Sequence, residues 1–181
     1  MSTLPEKYTR VAVALHWLIA TLIVVNVLLI WSVDFLPDAW VRPVIDTHKS
    51  TGITVLGLAL MRLLWRATHR PPALPAKYPA WEKIAAHMAH ALLYVVMIAL
   101  PLSGWMHDSA WKDAAEHPMF LYGLFEWPRI AAISSVEPGF KEVLHDRFGL
   151  VHEVFGFLLY VGAALKHQFR DKEPEIQRML P

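Results

Sequence analysis

The sequence contains no cysteine. Disulfide bonds, cysteine-ligated zinc, iron–sulfur clusters and thiol catalysis are therefore excluded. Charged side chains are also scarce, because Asp, Glu, Lys and Arg together make up 18% of the 181 residues, against about 25% in a typical soluble domain. The formal net charge is only +1, so no overall charge favours nucleic acid as a partner. The chain has no internal repeat and no nucleotide-binding glycine motif.

Apolar residues dominate the composition of the chain. They make up 55% of the chain, and eight tryptophans are among them. Residues 11–33 and 84–106 are each 23 residues long without a charged side chain, enough for a helix to cross a hydrocarbon core of about 30 Å. A signal peptide is the competing interpretation of the first stretch, but its apolar core would be unusually long and no convincing cleavage site follows.

Two further stretches are less uniform. Residues 44–65 span a membrane only if Lys49 and Arg62 extend their charged ends to the headgroups. Residues 148–169 hold Glu153 and Lys166 toward their two ends. The sequence therefore predicts an all-α fold, an integral membrane four-helix bundle that forms one domain over residues 1–181.

The distribution of basic residues predicts the orientation of the bundle. Lys and Arg collect in residues 62–83 and near both ends of the chain, whereas the connections 34–47 and 107–147 are richer in acids. By the positive-inside rule both termini are predicted to be cytoplasmic. The aromatic residues of 107–147 predict a cap at the outer interface rather than a free loop; they are Trp111, Phe120, Tyr122, Phe125 and Trp127.

Four of the six histidines inside the predicted helices form pairs at matched depths near the two membrane faces. His16 and His167 are near the inner face, and His48 and His152 are near the outer face. An imidazole in hydrocarbon is costly without a partner, so these residues are functional candidates. The matched depths predict two pairs, His48 with His152 and His16 with His167. The 15 residues between His152 and His167 correspond to about 22 Å of helix, which leaves room for two stacked porphyrins.

Small side chains lie about one turn from each of these histidines, where a bulky group would strike a porphyrin. They are Ala12, Ala20, Gly52, Gly149, Gly156, Ala163 and Ala164. Small residues also let membrane helices pack closely, and histidines can join helices by hydrogen bonds, so haem binding and simple packing both remain open. Iron held by two imidazoles has no open position, which favours one-electron transfer over oxygen binding.

His87 and His90 lie three residues apart on the third predicted helix. No carboxylate in that helix completes a metal site of the usual kind. We expect them to pack at the inner face or to lie beside haem propionates, with axial ligation by one of them as the alternative.

Motifs along nearly the whole chain match one known family. They are Tyr8-Thr9-Arg10, Leu15-His16-Trp17, Thr47-His48-Lys49-Ser50-Thr51-Gly52, Met61-Arg62-Leu63-Leu64-Trp65-Arg66, Ala86-His87-Met88-Ala89-His90, Pro101-Leu102-Ser103-Gly104-Trp105, His152-Glu153, and the tail from Ala163-Ala164-Leu165-Lys166-His167 to Arg178-Met179-Leu180-Pro181. This set resembles the bacterial cytochrome b561 family. The resemblance implies a four-helix inner-membrane protein with two b-type haems that exchanges electrons with ubiquinone, and some members oxidise superoxide at the periplasmic face.

The resemblance also implies axial ligands. By the family's pattern they carry over to His16, His48 and His152. The family's fourth histidine has no counterpart at its usual place, because the chain is shorter after Tyr160. His167 is the remaining candidate, although it lies about 60° around the helix from His152. We therefore expect an outer haem on His48 and His152, and an inner haem that is held by His16 and His167 or is weakened or absent.

Three more side chains are candidates for catalytic roles. Lys49 and Arg42 are basic groups placed to attract superoxide toward an acidic outer surface, with anchoring at lipid headgroups as the alternative. Glu153 is a candidate proton relay to quinone, or a hydrogen-bond partner of an imidazole.

The function expected from these features is electron transfer by an oxidoreductase between a periplasmic donor and ubiquinone. Two other classes remain open, namely a haem-bearing anchor that connects a partner enzyme to the quinone pool, and a haem-free membrane bundle. The expected partners are the lipid bilayer, a quinone and a periplasmic electron donor, with no nucleic acid.

Overall fold

The computed structural model describes residues 7–73, 78–109 and 117–130, together with isolated positions between 132 and 154. This part is mostly helical. Its elements are α1 Arg10–Ser32, α2 Asp38–Thr68, α3 Ala80–Ser109, β1 Phe120–Leu121 and β2 Phe125–Glu126. The fourth predicted helix, residues 148–169, lies outside the described residues apart from positions 150 and 154. The four-helix count and the cytoplasmic termini therefore stay predictions.

The start of α1 and the reversal into α2 follow from local chemistry. The Thr9 hydroxyl accepts the backbone N–H of Ala12 at 3.3 Å and so caps α1. A short 3-10 turn, Val33–Phe35, follows the end of α1. Pro37 then stands immediately before α2, where its fixed φ and its missing N–H cost no helical hydrogen bond.

Both α2 and α3 extend beyond the ranges predicted from the sequence, 44–65 and 84–106. The difference has a physical reason, because a charge-free run measures the length inside hydrocarbon while the hydrogen-bonded helix continues into its polar flanks. The end of α2 at Thr68 coincides with the approach to Pro71 and Pro72. Proline disfavours helical geometry in the residue before it, so the helix stops ahead of this pair.

The helix α2 packs against both α1 and α3. The centre of the contact is a small apolar cluster of Ile19, Val55, Ala59 and Met97. Ala59 is completely buried, and its small side chain lets the helices approach closely. Below, the end of the bundle that holds Thr9 and Trp65 is called the basic end, and the opposite end, near β1 and β2, is called the hairpin end.

The surfaces of α1 and α3 are largely apolar. Arg10–Phe35, which is α1 with the 3-10 turn, and Ala80–Ser109 are each long and apolar enough to cross a membrane. Large side chains on both helices are exposed, among them Leu28, Trp31 and Val95. A helix that is apolar on its outer surface is expected where lipid replaces water as the solvent.

The two strands form a hairpin that folds onto α2. Phe120 pairs with Glu126, and Leu121 with Phe125. Tyr122 and Gly123 in the turn have φ of 51° and 71°, in the left-handed region that glycine adopts at no steric cost. Tyr122 is held there because its N–H donates to the Ser50 hydroxyl at 3.0 Å and its own hydroxyl lies 3.0 Å from that of Thr54. The described part of the predicted outer cap thus lies against α2.

Candidate functional site

His48 lies near the start of α2 and its ring faces α1. Its Nδ1 is 3.0 Å from the backbone carbonyl oxygen of Asn26. A carbonyl oxygen only accepts, so Nδ1 must carry the proton and the lone pair of the neutral ring is on Nε2. A hydrogen bond from the second ring nitrogen to a carbonyl is the arrangement typical of a metal-ligating histidine. His48 therefore has the protonation geometry that a haem iron requires.

One turn beyond His48, α2 packs against Asn26 of α1 and Pro101 of α3. A Cβ added to Gly52, one turn further along α2, would lie 3.8 Å from Asn26 Nδ2 and 4.0 Å from Pro101 Cβ. These are ordinary van der Waals distances, so the packing of the described helices alone does not demand glycine here. The side-chain oxygen of Asn26 is buried and has no hydrogen-bond partner within the described ranges. Asn26 thus places a buried polar acceptor beside the carbonyl that His48 contacts.

A cluster of charges lies directly next to His48. The Lys49 ammonium is 2.6 Å from one carboxylate oxygen of Asp108, and the Arg129 Nε donates to the other at 2.9 Å. Asp108 is 6% exposed, whereas Lys49 and Arg129 are 20% and 17% exposed. Two cations flank one buried carboxylate, so much of the positive charge beside the histidine is balanced within the protein. We refer to Lys49, Asp108 and Arg129 as the ion triad.

The ion triad also fastens the segment 117–130 to the helices. The Arg129 Nη2 donates to the carbonyl oxygen of His117 at 2.7 Å. Nearby, the Trp105 indole donates to the Pro128 carbonyl at 2.9 Å, and the Ser109 hydroxyl accepts the N–H of Ile130 at 3.0 Å. These bonds join the cap to the end of α3.

Arg42, the second basic candidate, lies one turn into α2. Its Nε donates to the carboxylate of Asp46 at 3.1 Å, and both side chains are nearly half exposed. Asp46 is also 3.7 Å from the Lys49 ammonium. The structure thus places Arg42 and Lys49 on the same helix, each within an ion pair.

His16 is buried in α1 near the basic end and has a different partner. Its Nδ1 is 3.0 Å from Nη1 of Arg62. Arginine only donates, so Nδ1 accepts and the proton of the neutral ring is on Nε2. A ring in this tautomer has no lone pair on Nε2 for iron. The residues present therefore fit a haem at His48, but they do not fit one at Nε2 of His16 while Arg62 keeps this contact.

The two histidines stand at different heights in the bundle. His48 is level with Asn26 of α1, which is ten residues beyond His16. At 1.5 Å per residue this corresponds to about 15 Å along the helix axis. The described structure thus separates a hairpin-end histidine from a basic-end histidine, and the matched depths of the two pairs stay predictions.

The remaining predicted ligands lie elsewhere. His152, His167 and Glu153 are outside the described residues, so the pairs His48/His152 and His16/His167 stay predictions. His87 and His90 each donate Nδ1–H to a carbonyl oxygen of their own helix. The structure does not test whether either contacts a haem.

Sequence reasoning missed the partners of the predicted residues. The sequence places Asp108 only among the acids of the outer connection, whereas it pairs with Lys49, 59 residues away. Arg62 is expected to extend to the headgroups, whereas it contacts His16 from 46 residues away. One signal in the sequence could have identified Asp108. It comes just after the third predicted helix, at the membrane face where Lys49 lies near the start of the second predicted helix.

Comparisons with known proteins agree with these features. Residues 7–181 match the family model described as prokaryotic cytochrome b561. The chain is 32% identical over 179 residues to "Cytochrome b561 homolog 2" of Escherichia coli (strain K12), covering 97% of this chain and 92% of that protein. It is 29% identical over 181 residues to "Probable superoxide oxidase CybB" of Yersinia pestis, covering 97% of each chain.

A second Escherichia coli (strain K12) protein, "Cytochrome b561 homolog 1", is 24% identical over 178 residues, covering 97% of this chain and 98% of that protein. The family resemblance seen in the sequence is therefore confirmed over nearly the entire chain. With a family match across residues 7–181 and a relative above 30% identity, the chain belongs to the prokaryotic cytochrome b561 family of membrane-bound, haem-containing electron-transfer proteins.

Proposed function

We propose that this protein is an oxidoreductase of the bacterial inner membrane that passes electrons from a periplasmic donor, superoxide in the first place, to ubiquinone. Its outer b-type haem is held by His48 and His152. The observation that carries the proposal is the bond from His48 Nδ1 to the Asn26 carbonyl, which leaves Nε2 available to iron. The relative named as a superoxide oxidase supports superoxide as the first donor to test.

The orientation rests on charge. The basic end carries Arg62, Arg66 and Arg70 on α2 and the segment after it, so it is assigned to the cytoplasm by the positive-inside rule. The hairpin end then faces the periplasm. Among the described histidines proposed to bind haem iron, His48 is the nearest to a periplasmic donor. Ubiquinone is the acceptor, and Glu153 is the proposed proton relay to it.

Attraction of superoxide to the hairpin end is an electrostatic proposal. Arg42 is 44% exposed, whereas Lys49 is only 20% exposed and is paired with a buried carboxylate. Arg42 is therefore the more accessible of the two cations. If these charges steer superoxide, the second-order rate of its reaction falls as ionic strength rises, because salt screens exposed charges.

The haem assignment is tested by removing one imidazole. His48→Ala in the full chain is expected to abolish the outer b-type haem, which is measured from the Soret band and from haem per polypeptide. His117→Ala is the matched control, because His117 is exposed and its bond to Arg129 uses the backbone carbonyl, which the substitution keeps. Full haem content in His48→Ala, or equal loss in both variants, would contradict the assignment.

The reaction is tested with the purified protein alone. Under a steady supply of superoxide, the unchanged protein is expected to reduce a soluble ubiquinone, followed by absorbance, and His48→Ala is expected to lose this activity. An intact haem spectrum without quinone reduction would overturn the proposed reaction and indicate an anchor that requires a partner enzyme. A protein without a b-type Soret band would overturn the haem proposal itself.

A further inference from the structure

A second site lies at the basic end, away from the hairpin. The start of α1, the end of α2, the residues after α2 and Tyr94 of α3 line a half-open cavity of about 490 Å³. The cavity is large enough for a phosphate group with its ester substituents. None of the features described above at the hairpin end reaches it.

The cavity is lined by four basic side chains. They are Lys7, Arg62, Arg66 and Arg70. Among the described residues that line it, none is acidic. This differs from the hairpin end, where a buried carboxylate balances Lys49 and Arg129. Like charges held close together repel one another, and an anion between them removes that cost.

The aromatic ring of Tyr94 contacts two of these guanidinium groups. The Cζ atoms of Arg62 and Arg66 lie 5.8 Å and 6.0 Å from the centroid of the Tyr94 ring, within the range of cation–π attraction. Beside them, the Trp65 ring stacks on His69 at 3.7 Å and donates its N–H to Thr9 at 3.0 Å. The basic groups are therefore arranged before a ligand arrives, which lowers the entropy cost of binding.

The surroundings favour a lipid as the source of the anion. The cavity lies where α1 begins, so the polar headgroups of one leaflet are at its height. Val11, next to the lining residue Ala12, and Leu64, next to Trp65, are exposed apolar side chains that can contact acyl chains. Basic pockets between membrane helices on the cytoplasmic side bind anionic lipid headgroups.

We propose that the basic-end cavity binds the phosphate of an anionic phospholipid from the cytoplasmic leaflet. Arg66 and Arg70 pair with the phosphate oxygens, and Tyr94 orients Arg66. Arg62 is shared with His16, because it donates to that ring at 3.0 Å and also lines the cavity. A bound phosphate therefore competes with His16 Nδ1 for this guanidinium.

The test uses the haem-loaded full chain in a neutral detergent after removal of bound lipid. Native mass spectrometry follows titration with a phosphatidylglycerol, with a phosphatidylcholine of the same acyl chains as the zwitterionic arm. Glycerol 3-phosphate and inorganic phosphate are the lipid-free arms. We expect phosphatidylglycerol to bind at least tenfold more tightly than phosphatidylcholine, and this preference to weaken with added salt.

Variants locate the site. Replacing both arginines, Arg66→Gln with Arg70→Gln, is expected to weaken phosphatidylglycerol binding roughly 30-fold, about fivefold for each lost charge. The conservative pair Arg66→Lys and Arg70→Lys is expected to restore most of it. The control is Arg42→Gln, which removes one positive charge at the hairpin end and is expected to leave binding within about twofold, against about fivefold for each arginine lost from the cavity. The Soret band and the helical circular dichroism check that each variant is folded.

Three results would overturn the proposal. The first is equal affinity for the two lipids in the unchanged chain, a measurement that needs no folded variant. The second is equal loss in Arg42→Gln and in the double arginine variant. The third is binding of glycerol 3-phosphate or inorganic phosphate as tight as that of phosphatidylglycerol, which would assign the site to a free phosphate. If haem propionates fill the cavity in the haem-loaded protein, neither Arg42→Gln nor the double arginine variant changes lipid binding. That outcome is a case of the second result.

Discussion

Asp108→Asn provides a direct test of the ion triad. This substitution keeps the shape of the side chain but removes the negative charge that Lys49 and Arg129 share at 2.6 Å and 2.9 Å. Two cations that are mostly buried would then lose the carboxylate that lies between them. Removing one partner of a buried ion pair is strongly destabilising, because the remaining charge is no longer compensated.

The expected size follows from burial. Breaking a fully buried pair costs about 3–5 kcal/mol of the free energy of unfolding. Lys49 and Arg129 are 20% and 17% exposed, Lys49 keeps Asp46 at 3.7 Å, and Arg129 keeps the His117 carbonyl. The lower end of the range, about 3 kcal/mol, is therefore expected. For a chain of this length that corresponds to a fall of about 6–12 °C in the unfolding midpoint.

The assay is thermal unfolding of the purified protein in detergent at one fixed scan rate, followed by circular dichroism. Asp46→Asn is the matched control, because Asp46 lies on α2 at the same end of the bundle and its side chain is 45% exposed. Exposed ion pairs contribute about 0.2–1 kcal/mol, so its midpoint is expected to fall by no more than about 4 °C. Lys49→Met alone and combined with Asp108→Asn completes a double-mutant cycle. The cycle isolates the coupling energy between Lys49 and Asp108.

The comparison between the two carboxylates decides the outcome. Equal midpoints for Asp108→Asn and Asp46→Asn would refute the conclusion that the ion triad holds the cap to the helices. A coupling energy near zero between Lys49 and Asp108 would refute the specific pairing, even if Asp108 itself proved important.

Three further predictions concern protonation, space and backbone geometry. In haem-free protein, ¹⁵N shifts at neutral pH should show His48 protonated on Nδ1 and His16 on Nε2; the same tautomer in both would contradict their different partners. Gly52→Ala and Gly57→Ala should each stabilise α2 by about 0.5–1 kcal/mol. Only Gly52→Ala should lower the haem content per polypeptide. Unchanged haem content in Gly52→Ala would exclude a porphyrin against the face of α2 that holds Gly52. Gly123→Val should cost about 1–2 kcal/mol of stability because of the left-handed backbone at this turn, and an unchanged unfolding midpoint would show that the hairpin does not contribute.

The apolar pattern predicted the positions of the described helices more accurately than their lengths. Charge-free runs marked the stretches around His16 and His87, but α2 and α3 continue through charged turns that a hydropathy pattern assigns to loops. Pro43 and Pro101 lie inside helices, although proline ordinarily predicts a helix boundary. Their tolerance depends on tertiary packing, which periodicity does not encode.

The sequence identifies His48 and His16 as candidate ligands, a role that stays a prediction, but it does not identify their partners. The polar cost of an imidazole in hydrocarbon singled out His48 from its type and position alone. That its ring donates to the Asn26 carbonyl, and that Arg62 donates to His16, depends on contacts over 22 and 46 residues. The register between two antiparallel helices decides such contacts, and one sequence contains no direct measure of that register.

The spacing between His16 and His48 has an electrical consequence. Their separation of about 15 Å along the axis is half of a hydrocarbon core of about 30 Å. An electron that moves inward over this distance crosses about half of the transmembrane voltage, at a cost of about 1 kcal/mol per 100 mV when the cell interior is negative. Under the proposed function, transfer from a haem at His48 to a quinone at the height of His16 would therefore store energy as membrane polarisation, and a highly energised cell would slow the reaction.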